Sequence, residues 1–382
     1  MSALYASFAC AQHKKPNYQF SADILKEIES DTNAWRYQLG ATALSFSGHY
    51  QQALSIWLKN GIRKPNHTKN DSLLYAKSKK LNAKDYIIER SKDEQIIIIN
   101  EAHHNPMHRV FTASLLKDLY KNGYRYLGLE ALTDRAINKR KFATQESGYY
   151  TKEPEFGNLI VEALQIGFKV FGYEAGPNKN GKEREIEQAK NIESFLKNNP
   201  KGKLIIHCGF SHVFENHYTV WEKAMAGRLK EYLQIDPFTI DQEIYTERGN
   251  ATYEPLMVNL NREQVAIVLE DEFGNVFRGS RQPTQTDIVI IHPKTEMLEG
   301  RPHWLSNGKS KIRIDEKYTK KYPLLALAYR NDKLNQNGIP ADIVELLDEK
   351  SPMFFYLAPG KYNIVIKDKS YTTITTYTKT VR

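Results

Sequence analysis

Residues 95–245 alternate short apolar runs with helical stretches, and this alternation limits the possible folds more than any other feature of the chain. The run from Ile96 to Ile99 is too short for a helix and is β-branched throughout, so it predicts a strand buried on both faces. Strands that alternate with helices favour right-handed crossovers and a mostly parallel sheet. We therefore predict an α/β fold in which helices flank a mostly parallel central sheet. The further strands are predicted at 124–129, 168–173, 204–206 and 238–244.

The segments on either side of this core have different patterns. Apolar side chains in residues 20–60 recur at helical spacing, break at Gly48 and resume at Ala53, which predicts a helical hairpin resembling one tetratricopeptide unit. Because a lone unit cannot bury its own apolar face, we expect a flap that packs on a later part of the chain. After residue 255, short apolar runs such as 265–269 and 288–291 predict a C-terminal accessory β-sandwich, with one short helix near 341–348. The predicted divisions are a signal-peptide remnant or disordered tail at 1–19, a helical flap at 20–90, the α/β core at 91–250 and a β-rich domain at 255–382.

The composition excludes several classes of protein. The net charge of +9 is spread over short patches without a nucleic-acid motif, so we expect a solvated basic surface and no nucleic-acid partner. No apolar stretch has the length of a transmembrane helix.

The apolar residues 3–11 resemble the end of a signal peptide, and Cys10 lies where a cleavage site or a lipidated cysteine is expected. We therefore predict the cell envelope, the periplasm or the exterior, with membrane attachment through a lipidated Cys10 as one option and a cytoplasmic location as the alternative.

Acidic and imidazole side chains directly follow four of the predicted strands. Because the carboxyl ends of parallel strands meet at one edge, where ligands bind, we expect these side chains to converge. Unpaired buried charges are costly, so such a cluster indicates ion pairing, metal binding or acid–base chemistry. Cys208 is predicted to fill space in the core, and the long polar segment 133–155 to form a lid or a binding loop. The clustered side chains are, strand by strand, Glu101, His103 and His104, then Glu130, then Glu174, and finally His207 and His212.

The order of these motifs resembles the superfamily that joins erythromycin esterases, ChaN-type haem-binding uptake proteins and Tiki-type metalloproteases. The resemblance covers about residues 95–245 and implies Glu101 and His103 as the core pair, Glu130 as a second acid and the His212 region as the closing imidazole. The family motif is Gly-Glu-x-His, and Asn100 stands here in place of the glycine. Since asparagine tolerates positive φ, we expect Asn100 to keep the turn. The matching motifs are Glu101-Ala102-His103-His104, Gly128-Leu129-Glu130, Tyr173-Glu174, Arg184-Glu185 and Gly209-Phe210-Ser211-His212-Val213.

We expect this cluster to make the chain an esterase-like hydrolase of a small-molecule substrate. His103, oriented by Glu101 or Glu130, would be the general base for a water molecule that attacks an ester or a related carbonyl. His212 or Arg184 would stabilise the developing oxyanion. The chain lacks His-Glu-x-x-His and Gly-x-Ser-x-Gly, which excludes the common zinc and serine hydrolase motifs.

Three alternatives stay open. In a metal-dependent hydrolase, Glu101, His103 and His212 would hold a divalent ion that lowers the pKa of bound water. In a haem- or iron-binding uptake protein of the cell envelope, His104 or His207 would be the axial ligand, although His207 also suits a hydrogen-bonded core position. In a non-catalytic envelope protein, the flap and the β-rich domain would bind a partner. The pattern identifies neither the substrate nor the oligomeric state.

Overall fold

The computed structural model describes residues 15–65, 68–130, 132–280, 282–319, 321–331 and 333–382. Most of the predicted signal-peptide remnant, including Cys10, lies outside the described residues. Tyr18, near the end of the predicted tail, is buried, and its hydroxyl donates to the Lys152 carbonyl oxygen at 2.9 Å. None of the described helices is long and apolar enough to cross a membrane.

Helices and strands are labelled in chain order. The helices are α1 (Ser21–Ser30), α2 (Arg36–Phe46), α3 (Tyr50–Trp57), α4 (Lys69–Lys77), α5 (Ala83–Arg90), α6 (Met107–Lys121), α7 (Ile137–Arg140), α8 (Pro154–Ile166), α9 (Gly181–Asn198), α10 (Met225–Leu233) and α11 (Leu256–Leu260). The strands are β1 (Lys79–Asn82), β2 (Ile96–Glu101), β3 (Tyr124–Leu129), β4 (Lys169–Gly172), β5 (Lys203–Gly209), β6 (His217–Tyr218), β7 (Glu222–Lys223), β8 (Phe238–Tyr245), β9 (Ile267–Glu270), β10 (Ile288–Ile291), β11 (Met297–Leu298), β12 (Arg301–Pro302), β13 (Ser310–Arg313), β14 (Leu324–Arg330), β15 (Asp342–Leu346), β16 (Phe354–Leu357), β17 (Gly360–Lys367) and β18 (Thr373–Val381).

The central sheet takes its strands in the order β1-β9-β10-β8-β2-β5-β3-β4. The pairings from β10 to β4 are parallel, whereas β9 pairs antiparallel with both β10 and β1. Every residue of β2 is buried, as the isoleucine run predicts for a strand covered on both faces. The predicted α/β fold with a mostly parallel central sheet is therefore confirmed.

Helices cover both faces of this sheet. Successive side chains of a strand point to opposite sides, so a wholly apolar strand has side chains to bury on each face. Ile97 and Ile99 pack with apolar side chains of α5, α6 and α8. Ile96 and Ile98 pack with α9 and α10 on the other face. The sheet edge at the carboxyl ends of the parallel strands is thus held between two layers of helices.

The flap predicted at 20–90 begins with α1, α2 and α3, and these three helices are called the flap below. The end of the predicted range provides β1 to the central sheet and α5 to the helices that cover that sheet. Gly48 marks the break between α2 and α3, where its φ of 85° lies in the left-handed region that glycine tolerates. The flap packs largely on the C-terminal sheet, since Phe46 shares a buried cluster with Leu325 and Leu327. Its last helical residue, Trp57, reaches the α/β core, where it contacts His104.

The C-terminal strands form antiparallel sheets, with the orders β15-β14-β17-β18 and β13-β16. Ala326 and Ile364 from the first sheet share one buried cluster with Phe355 from the second. Antiparallel structure in this part of the chain, as predicted, is therefore confirmed.

Two details of the prediction for this part are wrong. The runs at 265–269 and 288–291 contain β9 and β10, which belong to the central sheet and not to the C-terminal sheets. A short, wholly apolar run suits a buried neighbour of a parallel strand as well as a sandwich strand, so the sequence does not distinguish the two. The short helix predicted near 341–348 is strand β15, each residue of which pairs with β14.

Candidate active site

The strands that carry the predicted site residues are neighbours in the sheet, in the order β2-β5-β3-β4. Glu101 ends β2, Glu130 directly follows β3, and Glu174 lies just beyond β4. His207 lies within β5, and His212 lies in the 3₁₀ turn that follows it. Hydrogen bonds join these side chains into two neighbouring groups, as the convergence of strand ends predicts.

The first group is centred on Glu101, which is buried. Its Oε1 accepts from His103 Nδ1 at 2.8 Å and from Arg109 Nη2 at 2.6 Å. Its Oε2 accepts from His207 Nε2 at 2.8 Å and from Arg109 Nε at 2.7 Å. Burial alone would raise the pKa of Glu101, but the charge of Arg109 and the contacts with both histidines outweigh burial and hold that pKa well below its usual range. Glu101 is therefore an ionised carboxylate with both oxygens occupied.

An ionised carboxylate only accepts hydrogen bonds, so Glu101 fixes the protons of both histidines. His103 carries its proton on Nδ1 and keeps the lone pair on Nε2. His207 carries its proton on Nε2, and its Nδ1 accepts from the Thr112 hydroxyl at 3.3 Å. Within the described part of the chain, no donor bonds to His103 Nε2. This atom is therefore the basic position that the first group leaves open.

Arg109 is a site residue that the strand-end pattern does not reveal. It lies on α6 with a side chain 0% exposed, donates to the His103 carbonyl oxygen at 2.9 Å, and also reaches Glu153 Oε2 at 3.0 Å. Burial outweighs the charge of Arg109 at Glu153 and raises the pKa of that carboxyl to about 7. The sequence does contain one indication that Arg109 is buried. It lies on the same apolar face of the helix α6 as Thr112 and Leu116.

The second group is centred on Arg184, in the first turn of α9. Its Nε and Nη2 donate to the two oxygens of Glu174 at 2.9 and 2.6 Å. Nη2 also donates to Glu130 Oε1 at 2.5 Å, and Nη1 lies 2.9 Å from His212 Nε2. Glu174 thus orients the guanidinium that joins Glu130 to His212.

Glu130 lies between the two groups. Its Oε2 accepts from the backbone N–H of Gly209 at 2.5 Å. Burial would raise the pKa of Glu130, but its electrostatic interactions with His212, Arg184 and His103 outweigh burial and lower the pKa to about 2. Glu130 is therefore ionised at neutral pH and anchors the last residue of β5.

His212 is held on both of its nitrogens. Nδ1 lies 2.8 Å from Glu185 Oε2, and the ring stacks on Trp221 with centroids 4.9 Å apart. Because arginine has no acceptor, Nε2 accepts from Arg184 and His212 is neutral in this arrangement. Burial lowers the pKa of His212, but Glu130 and Glu185 outweigh it and raise the pKa. If His212 took up a second proton on Nε2, this atom could no longer accept from Arg184. It would instead donate towards Glu130 Oε1, which lies 3.4 Å away.

Gly209 lets the two groups approach each other. A Cβ atom at this position would lie 2.4 Å from both Cε1 and Nε2 of His103, and 3.2 Å from Glu130 Oε2. The φ of Gly209 is −90°, which any residue adopts, so glycine is needed here for space and not for its backbone freedom. His103 Nε2 therefore faces the strand end to which Glu130 is anchored.

Aromatic rings cover the cluster. Tyr150, from the predicted lid segment, stacks on His103 with centroids 3.6 Å apart, and Phe210 meets His103 edge-on at 5.1 Å. Trp57, from the flap, stacks on His104 at 4.0 Å and on Phe210 at 5.4 Å. The side chain of His103 is consequently only 9% exposed.

The residues of this site do not fit a divalent metal ion. The described residues contain no group of three or more His, Cys, Asp or Glu side chains that could hold one. The predicted ligand set of Glu101, His103 and His212 is not assembled, because Arg109 occupies Glu101 and the two histidines belong to different groups. The guanidinium groups of Arg109 and Arg184 also disfavour a cation here.

Neither predicted axial ligand fits haem. Both ring nitrogens of His207 are hydrogen-bonded, so His207 is a core histidine, the alternative that the sequence left open. The ring of Trp57 lies 4.0 Å from His104 and occupies the space that a porphyrin face would need. Burial, joined by the charge of Arg248, holds the pKa of His104 well below its ordinary value, so His104 is a neutral member of the aromatic cover.

Asn100 supports the site in a way that differs from the prediction. It lies within β2 and is not among the residues with positive φ, so the expected turn is absent at this position. Its Nδ2 donates to the Phe210 carbonyl oxygen and to Asp241 Oδ1, both at 2.9 Å, and its Oδ1 accepts from Gln242 N at 2.8 Å. The side chain of Asn100 therefore ties β2 to β8 and to the turn that carries His212.

Comparisons with known proteins place few constraints on this site. No family model matches the chain, and no curated protein matches it. Among solved structures, the type III effector HopBA1 is similar at a TM-score of 0.36 and 12% identity, over 57% of this chain and 97% of that one. A structure described as bacterial protein toxins gives 0.33 and 13%, over 63% of this chain and 50% of that one. RRSP, a MARTX toxin effector domain from Vibrio vulnificus CMCP6, gives 0.28 and 16%, over 55% of this chain and 42% of that one.

Proposed function

We propose that the chain is a hydrolase that activates water with a metal-free Glu/His cluster against an ester or a related carbonyl of a small molecule. The observation that carries the proposal is the pair of Glu101 and His103. Arg109 keeps the Glu101 carboxylate ionised, and Glu101 holds the His103 proton on Nδ1, so Nε2 is available as a base. Membership of the erythromycin esterase-like superfamily is part of this proposal and rests on the order of the strand-end motifs.

The proposed reaction needs no group that the chain itself does not provide. His103 Nε2 takes a proton from water while the water oxygen bonds to the carbonyl carbon. The resulting oxyanion is stabilised by the positive charge of Arg184, whose side chain is 27% exposed. When the bond to the leaving group breaks, that group receives the proton from His103 Nε2. Glu101 stays ionised throughout and stabilises the imidazolium.

Substrate entry requires the aromatic cover to move. Tyr150 lies in a one-turn 3₁₀ helix of the long segment before α8, and Trp57 ends the flap helix α3. Both rings contact a histidine of the cluster by stacking. Displacement of Tyr150 would expose His103, so the cover also excludes bulk water from the closed site.

The test is an assay of the purified chain against p-nitrophenyl esters and lactones, with and without EDTA. We expect His103→Ala to lower kcat/KM by about 10²–10⁴-fold, the contribution typical of a positioned base. Glu101→Gln should also lower it, because the amide keeps only one of the two acceptor oxygens that now bond to His103, His207 and Arg109 and has no charge to stabilise the imidazolium. His217→Ala, which changes an exposed histidine outside the cluster, is the matched control and should keep wild-type activity.

Each arm of this assay has a result that contradicts the proposal. Loss of turnover with EDTA, restored by a divalent ion, would show that the chemistry depends on a metal. Equal turnover in the wild type and His103→Ala would remove His103 from the reaction. Hydrolysis by the wild type no faster than the uncatalysed rate on every ester and lactone would exclude this substrate class.

A second candidate, a non-catalytic interaction protein, is favoured by one observation. The cluster is closed, with Arg109 fully buried and His103 nearly so, as in a structural ion network. In that case His103→Ala would lower the free energy of unfolding and change no rate. The same set of variants therefore separates the two candidates.

A further inference from the structure

A cavity of about 560 Å³ lies away from the Glu/His cluster, between α6, the segment 292–296 and the 3₁₀ turn at His303–Ser306. Its apolar lining includes Met107, Val110 and the half-buried rings of Phe111 and Trp304. This volume lies within the roughly 300–1,000 Å³ that small-molecule sites occupy. The aromatic lining suits a ligand that contains a ring.

His292 supplies a polar position in the lining of this cavity. It is 2% exposed, and its Nε2 lies 3.2 Å from Gln242 Oε1. The amide nitrogen of Gln242 donates to the Asn100 carbonyl oxygen at 2.7 Å, so Oε1 is the acceptor and His292 Nε2 carries the proton. Burial lowers the pKa of His292 to about 3, which keeps the imidazole neutral. Nδ1 is therefore an acceptor, and none of the described residues donates to it.

Charged side chains also line the cavity. Lys84 and Lys294 line it, against a single acidic side chain, Glu296, among the lining residues. Lys84 already pairs with Asp118 at 3.2 Å. Lys294 is exposed and forms no ion pair within the described part of the chain. Its charge acts on the Glu254 carboxyl without an ion pair, so its ammonium group can still pair with a ligand.

We propose that this cavity binds a planar aromatic acid that also carries a hydroxyl or N–H donor. The ring system packs against Phe111 and Trp304, the acid group pairs with Lys294, and the donor bonds to His292 Nδ1. Each of the three features of the ligand thus corresponds to one feature of the lining. This site is separate from the proposed hydrolytic site and does not rest on the proposed function.

The experiment uses 6-hydroxy-2-naphthoate as the probe and isothermal titration calorimetry as the readout. Val265 lines the cavity and is 44% exposed, so Val265→Trp places a large ring at its mouth without entering the core. We expect this variant to bind the probe at least about tenfold more weakly than the wild type. Ile374→Trp, at a similarly exposed apolar position on β18, is the matched control and should bind as the wild type does.

Two further titrations test the polar contacts. The 6-methoxy analogue lacks the donor and should bind the wild type about tenfold more weakly than the 6-hydroxy probe. Lys294→Met should weaken binding of the naphthoate and leave that of the uncharged 6-hydroxy-2-naphthamide unchanged. The proposal is overturned if the wild type does not bind the probe, or if Val265→Trp binds it as tightly as Ile374→Trp. Equal weakening of the acid and the amide by Lys294→Met would overturn the assigned charge contact.

Discussion

Replacing Gly209 by alanine tests whether the position of His103 matters for chemistry. The new Cβ would lie 2.4 Å from Cε1 and Nε2 of His103, whereas carbon atoms in contact prefer about 3.5–4.0 Å. The imidazole must therefore shift by about 1 Å. A misplacement of that size can lower the rate by about 10²-fold. The backbone N–H that bonds to Glu130 is retained, and the φ of −90° is open to alanine, so the effect is steric.

The free energy of unfolding should fall by about 1–3 kcal/mol in the same variant, as is usual when a packed interior gains a methyl group. Gly128→Ala provides the matched control, since its Cβ would lie 2.5 Å from Ile206 Cδ1 and 2.9 Å from Phe171 Cζ, within the apolar core. It should have a similar cost in stability and leave His103 in place. We therefore expect kcat/KM to fall about 100-fold in Gly209→Ala and to stay near that of the wild type in Gly128→Ala.

The assay combines urea unfolding with ester hydrolysis, and ¹⁵N spectra of the histidine rings report the environment of His103 directly. In the wild type these spectra should show His103 protonated on Nδ1, and only Gly209→Ala should change its signals. Unchanged kcat/KM in Gly209→Ala would refute the proposed role of His103 Nε2. Equal losses of activity in both variants would assign the effect to stability alone.

Three further predictions concern buried charges, and urea unfolding measures each of them. Arg109→Met leaves Glu101 charged and unpaired, so we expect a loss of about 3–5 kcal/mol, and a loss below about 1 kcal/mol would contradict the ion pair. The pKa of Glu130 is about 2 in the fold against an ordinary 4.5, so its carboxylate stabilises the fold above about pH 4.5 by about 3 kcal/mol, which is lost as the pH falls to 2. Glu130→Gln should abolish this acid dependence. The pKa of Glu153 is raised from 4.5 to about 7, so the folded chain holds a proton that the unfolded chain releases, and stability should fall as the pH rises through that window. Glu153→Gln should remove that decline, and a decline that persisted would show that another group causes it.

The parallel strands and their polar ends were predictable from local pattern. The isoleucine run of β2 is unambiguous because a strand covered on both faces has no polar positions. In a parallel sheet, the residues that follow the strands lie at one edge. The sequence alone therefore predicts that Glu101, Glu130 and His212 lie near one another at this edge.

Other parts of the site depend on contacts that local pattern does not encode. Arg109 also bonds to Glu153, 44 residues away, and nothing in the neighbourhood of either residue indicates the other. The strand β10 resembles a sandwich strand in composition, and only its pairing with β8 shows where it belongs. The ligand set of the metal-dependent alternative is not assembled for a related reason, since the arginine that occupies Glu101 lies on a helix and not at a strand end.

The contact between the flap and the C-terminal sheet has a consequence for the time at which the cover forms. The backbone N–H of Phe20 donates to the hydroxyl of Tyr371 at 3.0 Å, and 351 positions of sequence separate these residues. At about 5–20 residues per second, a ribosome needs roughly 20–70 s to pass from one to the other. During this interval the C-terminal sheet is incomplete, so α1 to α3 lack the full surface against which they pack. The position of Trp57 over His104 is therefore not yet fixed. In a newly made chain, the strand ends that carry the cluster can therefore assemble before Trp57 completes their cover.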